Sequence, residues 1–243
     1  MKGKLIIIEG TDCSGKETQA KKAIEELQKK GISVFKFAFP NYDSPTGKIV
    51  GGPYLGKASI CEGWFKEGAT NVDGLVASAY FAADRRYNIN IIKEHLDKGE
   101  VVIVDRYVES NMAHQGGKIK EKDERLKMYE KLDKLEFDIM ELPRPDAVIF
   151  LYMPYEYASI LKQSRKEAPD QHESSKEHLK QAENAYLELT EIYNYIKIDC
   201  VKDDVIRTID DINKEVVEKI EGVINVKWIW LLFATRTYCS NTS

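Results

Sequence analysis

The chain has 243 residues, 43% of them hydrophobic, and a net charge of −4. That is enough for one sizeable α/β domain with its own core and marginal for two, and the charge excludes a general electrostatic pull toward nucleic acid. The four cysteines, Cys13, Cys61, Cys200 and Cys239, show neither metal-ligand nor paired spacing, so a reduced, cytoplasmic protein is expected. A core strand begins almost at once, which leaves no room for a signal peptide. The apolar cluster Val226 to Ala234 is too short to span a bilayer, so no membrane partner is expected.

Lys4 to Ile8 is an apolar, β-branched run that predicts a buried first strand. It leads into Glu9-Gly10-Thr11-Asp12-Cys13-Ser14-Gly15-Lys16-Glu17-Thr18. Ala20, Ala23, Ile24 and Leu27 then recur at helical spacing, and Gly31 closes that helix. Ser33 to Phe39 predicts a second strand stopped by Pro40. Asn41 to Gly56 reads as a Gly- and Pro-rich loop with a short helix. From Asp73 a long helix carries Leu75, Val76, Ala79, Tyr80 and Ala83, then Tyr87, Ile91, Ile92 and Leu96, ending at Gly99. Val101 to Asp105 predicts a third strand whose final Asp stands at the carboxyl end, where open α/β sheets bind ligands. Lys122 to Glu141 is mostly helical, and Pro143 to Asp146 is a break. Ala147 to Met153 predicts a fourth strand, and Pro154 opens a helix ending in Lys162-Gln163-Ser164-Arg165-Lys166. A long helix resumes over Glu173 to Tyr193. Ile196 to Asp199 predicts a fifth strand, and Ile206 to Ile220 a final amphipathic helix. Strands alternating with helices imply right-handed crossovers and a parallel sheet covered on both faces. From Gly222 onward the pattern degrades. Residues 223–243 read as an extra packed element, a partner-binding segment or an appended sequence.

Strand, Gly-bounded loop, Lys and helix together are the context of a phosphate-binding loop. Gly10 and Gly15 let successive N–H groups turn inward, the helix N-terminus adds partial positive charge, and Lys16 supplies a mobile cation. One position departs from the pattern. Glu17 stands where a Ser or Thr ordinarily ligates Mg²⁺, and Thr18, the next residue, points about 100° away on a helix. The same stretch is also compatible with a plain Gly-rich turn that binds nothing.

With this loop, Phe39-Pro40, Phe81 to Arg85, Asp105-Arg106-Tyr107 and the basic segment around Arg165 in order, the chain resembles the thymidylate kinases over roughly residues 3 to 220. The resemblance implies a P-loop kinase fold: a five-stranded parallel sheet covered by helices on both faces, with a short lid about 162–175, in a domain spanning 1–222. It implies a homodimer and transfer of the γ-phosphoryl of ATP to dTMP with Mg²⁺. It assigns Gly10, Thr11, Asp12, Cys13, Ser14, Gly15, Lys16, Glu17 and Thr18 to ATP binding. Asp12 matches the carboxylate that holds the sugar 3′-hydroxyl, and Thr18 the hydroxyl near the α-phosphate. Asp105 matches the strand-end carboxylate near Mg²⁺, and Arg106 the arginine that clamps the monophosphate. Phe81 and Arg85, four apart on one helix, can face one pocket; in the family they stack on thymine and reach its carbonyl edge. Asn111 and Gln115 match amide positions that contact the base, and Phe39 and Tyr42 lie on the acceptor side. Arg165, with Lys162 and Lys166, falls in the lid; because Cys13 replaces a basic loop residue found in some members, Arg165 is expected to supply the catalytic guanidinium. Lys16, Asp12, Arg106 and Arg165 are thus the expected catalytic residues.

The chemistry suits these residue types. A phosphate acceptor has its second ionisation near pH 6, so it needs no protein base, and catalysis reduces to positioning and charge neutralisation. Tyr42 departs from the family's arginine two residues after Phe-Pro, so acceptor affinity suffers unless Arg106 or Lys48 compensates. Glu17 is expected to hold Mg²⁺ through water. His114 replaces a family tyrosine near the sugar. These changes keep a kinase of another deoxynucleotide or nucleoside, or a non-catalytic nucleotide-binding regulator, as alternatives. A GTPase is disfavoured because there is no Asn-Lys-x-Asp guanine signature.

Overall fold

The computed structural model describes residues 2–162, 172 and 175–238, with side chains as far as residue 224. Five strands form one parallel sheet: β1 (Lys4–Gly10), β2 (Val34–Ala38), β3 (Val101–Asp105), β4 (Ala147–Tyr152) and β5 (Ile196–Asp199), in the order β2-β3-β1-β4-β5. The apolar runs sit where both faces are covered, as parallel strands require. β1 lies central, with Ile6 opposite Ile103 on one side and Ile8 opposite Ile149 on the other.

The strand alternation divides the core in two. Leu5 and Ile7 face the layer built by α3 (Gly74–Asp97), α4 (Val108–Gly116), α5 (Lys122–Asp133) and α7 (Lys176–Tyr193). Ile6 and Ile8 face α1 (Lys16–Lys29) and α8 (Ile209–Tyr238), meeting Ala20, Ala23 and Leu27 from one and Ile212, Val216 and Ile220 from the other. Beside these layers run the short α2 (Pro45–Ile49) and a π-helical turn at Val50–Tyr54, both against α3, and α6 (Tyr155–Lys162), which meets α7. α5 passes into a second π-helical turn, Lys134–Ile139, which brings Glu136 into the interior.

The fold agrees with the expected five-stranded parallel sheet. Gly31, at φ 79°, follows the last turn of α1. Asp73 caps α3, its carboxylate accepting from the N–H groups of Leu75 and Val76. Two features differ from the sequence expectation. A hairpin of β6 (Val201–Lys202) and β7 (Val205–Ile206) follows β5, turning on Asp203 and Asp204 at φ 50° and 59°. Strands of two residues carry no periodicity to read, although Asp-Asp suits the left-handed turn. And α8 does not end near Gly222; its backbone continues to Tyr238. Gly222 lies inside the helix and not beyond its end, and a Cβ there would meet nothing within 4 Å. Among the described residues, no helix is long and apolar enough to cross a membrane.

Candidate active site

The carboxyl ends of β1 and β3 open onto a cleft of about 530 Å³. Its floor at one end is the loop from β1 to α1. Gly10 is required there by space, because a Cβ would come within 2.4 Å of Ser14 Oγ and 2.7 Å of the Leu151 carbonyl. Cys13 and Gly15 take positive φ, 56° and 78°, and so curl the chain. Thr11 ties the curl to the end of β4: its hydroxyl donates to the Met153 carbonyl at 2.7 Å and accepts from the Met153 N–H at 2.9 Å. Lys16 Nζ donates to the carbonyls of Gly10 and Thr11, each at 3.0 Å. Burial, and then the nearby Arg106, push its pKa down to about 8 against the pull of Asp105, Asp12 and Glu9. The buried Ser14 hydroxyl has no hydrogen-bond partner among the described residues.

Arg106 stands across the loop at φ 65°, a conformation rare for a side-chain-bearing residue and frequent at functional sites. Its guanidinium has one long hydrogen bond among the described residues, 3.5 Å to Ser110 Oγ. Burial opposes its charge, but Tyr186, Glu9, Asp105 and Asp12 outweigh burial and keep it cationic. Glu9 is the anchor beneath. Fully buried, it accepts from the N–H groups of Tyr107 and Ser110, from Ser110 Oγ and from Tyr186 Oη. One carboxylate thereby fixes the start of α4 and the segment that carries Arg106.

The other end of the cleft is walled by α3 and α4. Phe81 and Arg85 from α3 both line it, with Phe39, Tyr42, Asn111 and Gln115. Phe81 meets Tyr54 edge-on, ring centres 5.5 Å apart. Arg85 is not a bare cation. Its Nε donates to Glu136 Oε2 at 2.8 Å, its Nη2 pairs with Glu136 Oε1, and its Nη1 reaches the Tyr107 carbonyl at 3.2 Å. Asn111 Nδ2 donates to the same Glu136 at 2.8 Å. Three polar atoms remain without partners although buried: Asn111 Oδ1 and both Nε2 and Oε1 of Gln115. Buried polar groups are nearly always paired, so these mark a place made for a ligand's polar edge.

The sequence-derived residues thus fall around one space. Asp12, Cys13, Gly15, Lys16, Glu17 and Thr18 line its loop end, where Asp105 and Arg106 stand near Lys16. Asp12 accepts from Lys162 Nζ at 3.5 Å, which carries a contact from the end of α6 across to the loop. Glu17 and Thr18 are both exposed in the first turn of α1. Arg165 and Lys166 lie outside the described residues. Lys48 is exposed and is not part of the cleft wall, whereas Lys57 is; its Nζ sits 4.6 Å from the centre of the Tyr42 ring. The loop bearing Tyr42 is held by Asp84, which accepts from the Asn41 N–H and from the hydroxyls of Ser44 and Thr46.

Sequence reasoning missed Lys57, Glu136 and the histidines His172 and His178, which gather beside His114. Burial, reinforced by the neighbouring rings, holds His114 and His172 neutral, and burial with Lys118 pushes His178 down to about 4. Glu136 gave no signal, because it stands among other charged residues in Asp133-Lys134-Leu135-Glu136-Phe137-Asp138. The others are brought in by loop and π-helical geometry that no local pattern announces.

Asp105 and Glu17 both line the cleft, and neither side chain has a hydrogen bond or ion pair among the described residues. A hard divalent cation takes carboxylate ligands of this kind.

The family model described as thymidylate kinase matches residues 8–208. A probable thymidylate kinase of Methanocaldococcus jannaschii is 31% identical over 218 residues, covering 90% of this chain and 96% of the relative. That of Thermococcus gammatolerans is 29% identical over 225 residues, covering 91% and 98%. Among solved structures, the thymidylate kinase of Candida albicans superposes with a TM-score of 0.69 at 25% identity, covering 92% of this chain and 93% of that one.

Proposed function

The chain belongs to the thymidylate kinase family, ATP-dependent nucleoside monophosphate kinases that phosphorylate dTMP to dTDP, and we propose that it does so by positioning and charge neutralisation without a general base. The observation that carries this reading is the division of labour along one cleft. Lys16 and Arg106 stand at one end, and the unpartnered amide of Gln115 at the other. The loop and Lys16 hold the ATP phosphates, leaving Lys16 to exchange its two loop carbonyls for phosphate oxygens. Arg106 clamps the phosphate of the acceptor, and Asp12 takes its sugar hydroxyl. Phe81 stacks on the base, while Arg85, Asn111 and Gln115 face its polar edge. Phe39 and Tyr42 close the acceptor side, and Lys57 beside Tyr42 supplies the positive charge that the tyrosine lacks.

Mg²⁺ is the divalent ion in this reading, with Asp105 and Glu17 as its protein ligands; when bound it draws charge from the phosphate oxygens. Arg165 completes the neutralisation from the lid at about 162–175. We assign catalysis to residues 1–222, beyond which α8 continues to Tyr238. A homodimer is supported by one exposed ridge on α3: Leu75, Ala79, Ala83, Tyr87 and Ile91 recur every four residues, the spacing that interlocks helices. The protein is assigned to the cytoplasm, with no nucleic-acid or membrane partner.

The test is a coupled ADP-release assay with ATP and Mg²⁺ across dTMP, dUMP, dGMP and thymidine. The range matters because the Candida albicans relative is one of broad substrate specificity. A clear preference for dTMP is expected. ATP binding without turnover of any acceptor would instead make the protein a nucleotide-binding regulator.

A further inference from the structure

Beside the cleft, and unused by the reaction described above, three histidines converge from separate parts of the chain. His114 lies on α4, His178 in the first turn of α7, and His172 in the connection before α7. Each offers one ring nitrogen, and the three nitrogens lie within 4.8 Å of one another. His114 Nδ1 and His178 Nε2 are 3.1 Å apart and share a hydrogen bond, whose proton an ion would replace. Two nitrogens that share a tetrahedral ion at the usual bond length of about 2.0–2.1 Å are separated by about 3.3 Å, so this pair already has nearly the required edge. The third ring is held by Tyr54 and the Ala69 carbonyl. Tyr54 Oη donates to the Ala69 carbonyl at 3.1 Å and sits 3.0 Å from His172 Nε2. Where one ring nitrogen is held in this way the other is left to bind an ion, the arrangement that steadies metal-ligating histidines.

We propose that His114, His172 and His178 form a binding site for a divalent transition-metal ion of the zinc class, distinct from the oxygen-lined Mg²⁺ position. Three neutral imidazoles select zinc-like ions, and hard cations prefer carboxylate and water. Three protein ligands leave a fourth position for water or for an oxygen of whatever occupies the cleft, because His114 and His172 are both part of the cleft wall. Charges nearby limit the affinity. Lys118 acts on His172 and His178, and Lys16 and Arg106 act on His114, with Asp12 partly offsetting them. The dissociation constant should therefore be on the order of micromolar, weaker than a closed four-ligand structural site. The ion would join α4, which carries Asn111 and Gln115, to the segment leading into α7. This inference goes beyond the kinase reading and stands without it.

The experiment uses full-length protein freed of metal by a chelator and then dialysed, without nucleotide, since ATP itself binds zinc. Isothermal titration with Zn²⁺ should show one saturable site, unaffected by millimolar Mg²⁺. Excess Zn²⁺ at about a hundred times the dissociation constant should raise Tm by roughly 5–10 °C. Co²⁺ should give visible bands of a tetrahedral nitrogen–oxygen site, with no thiolate charge-transfer band. His114→Gln and His178→Gln should each weaken Zn²⁺ binding at least about a hundredfold. No saturable binding to the parent protein, a thiolate band with Co²⁺, or undiminished affinity in both folded variants would each overturn the proposal. The first two readings use the parent protein alone and hold even if a variant fails to fold.

Discussion

Replacing Gln115 with Met should make the protein more stable and a worse kinase. The side chain is fully buried at the bottom of the cleft and both amide atoms lack partners. An unpaired buried polar group costs about 1–3 kcal/mol, and both ends of this amide are exposed to that cost until a ligand arrives. Met is close in volume and carries no strong donor or acceptor, so packing changes little. A gain of about 2 kcal/mol in the ligand-free protein is expected, which in a chain of this size is roughly 4–8 °C in Tm. The acceptor then meets an apolar wall and leaves its own base edge unpaired, a loss of about 1.5–3 kcal/mol, or tenfold to a hundredfold in the KM for dTMP. The KM for ATP should stay put. Differential scanning calorimetry and acceptor-varied kinetics measure the two halves. A fall in Tm of several degrees together with an unchanged KM for dTMP would mean that the amide serves the fold and not the base, and the reasoning would be refuted.

Lys57→Ala should raise the KM for dTMP about tenfold and leave that for ATP unchanged, the scale of one partly screened charge near a phosphate; equal effects on both substrates would remove Lys57 from the acceptor side. Glu109 gives a pH signature. It is buried, one oxygen is unpaired, and burial, then Glu9, raise its pKa to about 8. The folded protein then binds more protons than the unfolded chain between about pH 4.5 and 8, so stability falls as pH rises through that window. Glu109→Gln should flatten that slope, by on the order of 3 kcal/mol across the window; parallel urea-melt stabilities at pH 5.5 and 8.5 would count against it. Arg165→Ala should cost more than tenfold in kcat, as loss of an arginine finger does, and turnover within twofold of the parent would remove it from catalysis.

The parts of this molecule that were legible in sequence are those whose physics is local. The run Leu5-Ile6-Ile7-Ile8 can be satisfied only by burial on two faces, and the structure buries all four. Gly10 and Gly15 mark a curl because nothing larger fits the first and the second needs positive φ. Gly222 shows the limit of the same habit. The residue pattern degrades from Gly222 onward, yet α8 continues through it, because one glycine costs a helix only about 1 kcal/mol. The charge pairing of the site was not legible at all. Arg85 and Glu136 are 51 residues apart, and the acid reaches the guanidinium only because the helix following α5 widens into a π-helical turn. His172 and His178 were hidden similarly, each unremarkable beside its own neighbours.

That hidden pairing changes what the two arginines of the cleft are for. A buried guanidinium matched by a carboxylate keeps its donors but contributes little net charge to its surroundings. Arg85, locked to Glu136, is therefore a shaped array of N–H groups, suited to a neutral base and poor at attracting a phosphate. Arg106 faces Glu9, Asp105 and Asp12 at longer range, with only one long hydrogen bond among the described residues, so its charge remains available to an anion. The same side chain thus does opposite work at the two ends of one cleft. The difference lies in whether a carboxylate has been brought into contact. Moving charge rather than shape should expose this asymmetry. Glu136→Gln would leave Arg85 cationic in a buried setting, destabilise the fold by about 3–5 kcal/mol, and open the base end to anions. A Glu136→Gln protein that folds as well as the parent, by urea melt, would show that the pair does not set the character of that end.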